Sequence, residues 1–157
     1  MSTLQTKSDL KESTIEKLQT LIRYNIDSYN GFAESAKEID HDGLSKLFND
    51  LAAERSSMAK ELQNHVEWNN EEPEDDGSTK AKIHRIWINV RGKLNSGDPR
   101  VILEEAERGE DAIKEAYENV LEEVSGTALN DVLVRQYASV KTGHDKVRDL
   151  RDTFKSS

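Results

Sequence analysis

The sequence predicts an all-α protein: a bundle of four long helices built as two αα-hairpins, with a long crossover holding a short fifth helix. Three observations carry this. Charged residues make up 34% of the 157-residue chain and proline occurs only twice; this mix of Glu, Lys, Leu and Ala favours long helices over sheets. Apolar residues recur at three- and four-residue steps along four long segments. The breaks between segments are unequal, tight within each pair and long between the pairs, where residues 69–98 form the crossover.

Each element can be read in order. Residues 1–12 are polar and read as a loose tail, leaving 13–157 as one domain. Ser13 followed by Glu16 has the spacing of a capping box and is expected to open the first helix. Its stripe runs Ile15, Leu18, Leu21/Ile22, Tyr29, Phe32, Ala36 and Ile39, interrupted by Asn25. "DHDG" breaks the chain. The second helix carries Leu44, Leu47/Phe48, Leu51, Met58, Leu62 and Val66, and ends near Trp68. "NNEEPEDDGST" is an acidic linker with Pro73 and Gly77. A short amphipathic helix follows, with Ile83, Ile86/Trp87, Val90 and Leu94 on one stripe and a basic opposite side. The five acids in residues 71–76 are expected to neutralise that side locally. After "SGDP", Asp98 is the expected N-cap and Pro99 the first helical residue. The third long helix uses Ile102/Leu103, Ala106, Ile113, Tyr117, Val120 and Val124. Gly126 punctuates, and the fourth uses Leu129, Val132/Leu133, Tyr137, Val140, Val147, Leu150 and Phe154.

The two halves match each other in part. A shift of 81 lays Leu21, Ile22, Phe32 and Ile39 on Ile102, Leu103, Ile113 and Val120, as a duplicated hairpin would. A helix of about 25 residues is about 38 Å long, and a short helix with an extended linker spans that distance. Two hairpins with one long crossover is the ferritin-like arrangement.

The stretches "GFAESA", "LFNDLAAERSSMAKEL", "EPEDDGS", "HRIWINV", "LEEAERGEDAIKEAY" and "QYASVKTGHDKV" together resemble a bacterial family of ferritin-like four-helix-bundle proteins that share a domain of unknown function. The resemblance covers roughly residues 13–151, and "ERGED" and "PEDDGS…HRIW" are its most specific parts. It implies a four-helix bundle and supplies no catalytic residue.

Composition bounds the function. A net charge of −9 argues against nucleic acid, whose phosphates need a basic face. With no cysteine there is no disulfide, thiolate metal site or thiol nucleophile. No run of about twenty apolar residues and no signal-peptide core is present, so a soluble cytoplasmic protein without a membrane partner is expected.

The segment "EEAERGEDAIKEAY" (Glu104–Tyr117) crowds six acids into fourteen residues. A ferritin-like di-iron site needs a Glu on each of two helices and Glu-x-x-His on each of the others. Here the second helix has Glu54-Arg-Ser-Ser57, and three residues before His144 stands Lys141. Neither motif is complete, so no cofactor is expected. The alternative is a degenerate iron site on Glu54, Glu107, Glu110 and His144. Arg55 lies on the line Leu51, Arg55, Met58, Leu62 and points inward, unless its stem snorkels to solvent. A buried guanidinium needs a carboxylate. Arg55 with Glu107, Glu110, Gln136, Tyr29 and Asn25 is therefore expected to form one buried polar layer, with Gly109 allowing close helix approach. The expected role is a non-catalytic structural or interaction module; the competing class is an iron-dependent oxidoreductase or metal-storage protein. The stripe of the crossover helix must be covered by its own bundle or by a second copy, and a homodimer with that helix at or near the contact is expected.

Overall fold

Residues 10–75, 82–94, 98–124 and 129–155 are described in a computed structural model. Among them are five helices and no strand: α1 (Glu12–Glu38), α2 (Asp42–Trp68), α3 (Lys82–Lys93), α4 (Pro99–Val124) and α5 (Asn130–Lys155). The tail up to residue 9, Gly77, residues 95–97 and Gly126, each given a role above, lie outside the described residues. α1 and α2 pair as one hairpin and α4 and α5 as the other; α1 also packs on α4, and α3 lies against both of these.

The helix ends follow local chemistry with one exception. His41 opens α2 by accepting the Leu44 N–H on Nδ1 at 3.1 Å. Asn70, just beyond α2, takes the left-handed conformation (φ 61°) that a short amide side chain tolerates. At α4, Asp98 accepts the Arg100 N–H at 3.0 Å and Pro99 fills the first helical position. The exception is α1. The capping box on Ser13 does not form, because the helix already begins at Glu12 and Lys11 occupies the N-cap without a side-chain bond. A tertiary contact sets this entry: the Leu10 N–H donates to Asn69 Oδ1 at 2.9 Å, tying the start of α1 to the end of α2.

The apolar stripes of the four long helices meet in one core. Leu18, Leu21, Ile22, Phe32, Leu44, Phe48, Leu62, Leu103, Ile113, Leu133, Val140 and Val147 are all fully buried. Ile86, Trp87 and Val90 of α3, and Leu94 just after it, join that core. These four positions of the crossover stripe are thus covered by its own chain, and Trp87 is only 4% exposed; the Ile83 side chain lies outside those described. Its indole lies edge-on to Phe32, with ring centroids 4.4 Å apart.

Two glycines make room for it. A Cβ on Gly31 of α1 would overlap the indole ring, and one on Gly109 of α4 would lie 3.1 Å from Trp87 Nε1. Gly109 therefore admits the crossover helix, whereas the expectation was an approach of long helices at the polar layer.

The linker also departs from expectation. Glu74 pairs with Arg23 of α1 at 3.2 Å, while Arg91 of α3 pairs with Glu34 at 3.0 Å. Gln19 exchanges two 2.8 Å hydrogen bonds with the backbone of Glu72 and Glu74, and Gln63 donates to the Glu74 carbonyl at 2.8 Å. These bonds hold residues 72–74 on the α1/α2 hairpin. At least Glu74 and Arg91 therefore find partners on α1, not on each other.

The slot predicts a specific non-additivity. Gly31→Ala should destabilise the protein by about 1–3 kcal/mol through overpacking against the indole, measured by urea denaturation with far-UV circular dichroism. In a Trp87→Ala background the same change should cost far less, because the space is open. Equal costs in the two backgrounds would show that the indole is not what selects glycine there.

Candidate functional site

Two layers of interior polar residues and one group nearer the surface collect most of the candidate site residues. In the first layer, Arg55 of α2 donates from Nη2 to Glu110 Oε2 of α4 at 2.6 Å, and both side chains are fully buried. Each lies on its helix's inward stripe: Leu51, Arg55, Met58, Leu62 on α2, and Ala106, Glu110, Ile113, Tyr117 on α4. Gly143 of α5 supplies the space. A Cβ there would stand 2.8 Å from Arg55 Nη2 and 3.1 Å from Glu110 Oε2. Burial pushes the Glu110 carboxyl above its ordinary range, and the charge and hydrogen bond of Arg55 offset only part of that. Glu54 points an oxygen into buried surroundings without a protein hydrogen-bond partner among the described residues.

The second layer is a hydrogen-bond chain through all four long helices. Asn25 of α1 donates to the Tyr117 hydroxyl of α4 at 2.9 Å, and that hydroxyl donates to Gln136 Oε1 of α5 at 2.6 Å. Gln136 then donates to Glu61 of α2 at 2.6 Å. Arg135 closes the outer end with a 2.6 Å bond to the other Glu61 oxygen. Burial raises the Tyr117 phenol well above its usual value, so it stays a proton donor. Burial also acts to raise Glu61, but the bonds from Arg135 and Gln136 outweigh it and hold the carboxylate below its ordinary range.

The six residues expected to share one layer therefore divide. Arg55 and Glu110 form the ion pair, and Asn25 and Gln136 belong to the chain. Tyr29 belongs to neither, being 40% exposed beside Ile26, Ser56 and Ala59 at the edge of α1 and α2. The inward register of α1 runs Asn25, Ser28, Phe32, Ser35, so a small serine takes the place that hydrophobicity alone gave to the tyrosine. Glu107 is not a partner of Arg55 either: it forms a close ion pair with Arg151 of α5.

Glu107 instead belongs to the surface group, between α4 and α5. His144 sets Nε2 at 2.7 Å from Asp111 Oδ1 and 3.9 Å from Glu107 Oε1, and Nδ1 at 3.2 Å from Asp145 Oδ1. The structure thus brings together two of the four candidate iron ligands, Glu107 and His144, and assigns Glu110 to Arg55. Tyr117, Glu61, Gly143, Asp111 and Arg151 were not singled out as site residues. Gly143 was within reach, since it continues the stripe of Val140 and Val147 where a large side chain would be expected. Glu61 and Arg151 carry no such signal.

The ion pair gives a direct test. Arg55→Ala should cost about 3–5 kcal/mol by leaving the Glu110 charge unmatched, while Arg55→Met with Glu110→Leu should recover most of it. Chemical denaturation of the three proteins checks this. A loss within about 0.5 kcal/mol for the single change would place the pair among contacts of surface strength.

No curated protein matches the chain. A family defined by a domain of unknown function (DUF2383) matches residues 13–123, which span α1 from its second residue, all of α2 and α3, and α4 to its penultimate residue. With that match across most of its length, the chain belongs to the DUF2383 family.

Proposed function

We propose that this chain is a ferritin-like bundle acting without catalysis, as a structural or interaction module in the cytoplasm. The observation that supports the reading most is the Arg55–Glu110 pair. A ferritin-like di-iron centre uses carboxylates from all four helices and a histidine from each of two. On α2, Glu54 is followed by Arg55, Ser56 and Ser57; on α5, Lys141 precedes His144 by three. Glu110, the inward carboxylate of α4, already faces a fixed guanidinium at 2.6 Å. These residues do not fit an iron pair. A multivalent cation beside Glu110 would stand close to Arg55, where like charges repel strongly because little water screens them. The permanent cation of the side chain takes the electrostatic role an ion would have, without a redox partner or an open coordination position.

The test is addition of ferrous iron in air to protein purified without chelators, followed by metal analysis. The expected result is no iron bound through the bundle centre, so that Glu54→Gln leaves metal content unchanged. Stoichiometric iron that disappears in Glu54→Gln would establish the metal-storage or oxidoreductase alternative.

The proposal includes a homodimer. With Ile86, Trp87 and Val90 spent on the core, the apolar residue that α3 offers outward among the described side chains is Ile88, 53% exposed beside exposed Arg85. A twofold contact centred there would place an apolar anchor inside a polar rim. Light scattering at tens of micromolar should give the mass of two chains, falling to one folded chain in Ile88→Glu. A monomer in the intact protein removes this part of the reading.

A further inference from the structure

We propose that the groove between α4 and α5 binds a single divalent transition-metal ion, zinc being the best match, through Glu107, Asp111 and His144. The three offer ligand atoms that all lie within 4.8 Å of one another. Two lie one turn apart on α4, and the third comes from α5 at the same level. Tetrahedral zinc with bonds of about 2.0–2.1 Å sets its ligand atoms about 3.3 Å apart. His144 Nε2 stands 2.7 Å from Asp111 and 3.9 Å from Glu107, on either side of that spacing. Asp111 is the exposed member, its side chain 59% accessible and free to turn, whereas Glu107 has to leave Arg151 to close its distance. An open recess lined by Glu104, Glu107, Arg108, Asp111 and Arg151 gives access from solvent.

The surroundings of His144 strengthen the assignment. The ring is largely buried, with a carboxylate facing each nitrogen: Asp145 at Nδ1, and Asp111 at Nε2. A neutral imidazole carries one N–H, so one of the two contacts needs an added cation, either a proton or a metal. With the N–H directed from Nδ1 to Asp145, the Nε2 lone pair is aimed between Asp111 and Glu107. A carboxylate that orients a ligating histidine through its far nitrogen is the recurring outer shell of zinc sites. One nitrogen and two oxygens from protein, with a side open to water, suit zinc and its first-row neighbours better than magnesium, which prefers all-oxygen octahedra.

Arg151 is the built-in competitor. It pairs with Glu107, and it also holds Asp152 at 2.9 Å from Nη2. On metal entry it can release Glu107 and keep Asp152. The groove then exchanges a monovalent for a divalent cation at one carboxylate.

This site is separate from the bundle centre, and its test distinguishes them. Chelator-stripped full-length protein is titrated with zinc by calorimetry, and with cobalt to read the visible bands of a nitrogen-containing low-coordinate site. The expected result is one ion per chain, lost in His144→Ala, weakened about tenfold in Asp145→Asn, tightened severalfold in Arg151→Gln, and unchanged in Glu54→Gln. Circular dichroism confirms that each variant is folded. Zinc binding that is indifferent to His144→Ala, or its absence from both the intact protein and Arg151→Gln, overturns the proposal.

Discussion

A guanidinium with no exposed surface has to be matched in charge and given room, and in this protein both come from the second hairpin. Arg55 belongs to α2, its carboxylate to α4, and the glycine that admits it to α5. The pair is expensive to bury, and its attraction repays desolvation only when the geometry is good. Its consequence is therefore registry more than stability. A slip of α4 by one residue would bring Gly109 or Asp111 to the position of Glu110 and leave the arginine facing the wrong group. The chain from Asn25 through Tyr117 and Gln136 lies two turns further along α4 and repeats the constraint with neutral groups that end on the Glu61 carboxylate. Ordinary leucine packing tolerates several offsets; two polar layers of different chemistry tolerate one.

The crossover helix answers to another constraint, which is shape. An indole is too large for the space between two helices bearing ordinary side chains, so Gly31 and Gly109 give up theirs. Glycine within a helix costs about 1 kcal/mol relative to alanine, and burial of a large aromatic offsets that several times over. The short helix is thereby an integral part of the core, and the bundle has five contributors to its interior.

Most of the architecture was legible because helices advertise their buried face through periodicity. Phe32, Leu51, Ile113 and Val140 stand where their spacing puts them. The inward direction of Arg55 was legible for the same reason. What periodicity could not give was the choice among neighbours. Tyr29 and Ser28 compete for one inward position, and size with polarity favoured the wrong one; the buried position takes the serine. Glu107 and Glu110 both flank the stripe, and only the placement of α5, with Arg151 on one side and Gly143 on the other, decides which carboxylate meets Arg55. The N-cap of α1 lies two residues earlier than the capping box places it, where Asn69, far along the chain, holds Leu10. Such errors concern relations between helices, which no single-helix pattern contains.

The clips on the acidic linker carry a consequence for how the chain assembles. Once the first hairpin has formed, Gln19 and Gln63 fasten residues 72–74 along its side. The tether to the second hairpin then starts partway along the bundle and not at the end of α2. Closing a loop costs about 0.6 kcal/mol for each doubling of its length, so the thermodynamic gain is small. The geometric one is larger. A shortened tether raises the effective concentration of α3 and α4 beside the groove of α1 that receives Trp87, and it restricts from which side they arrive. In the folded chain the crossing toward α3 therefore departs from a fixed point on the side of the first hairpin.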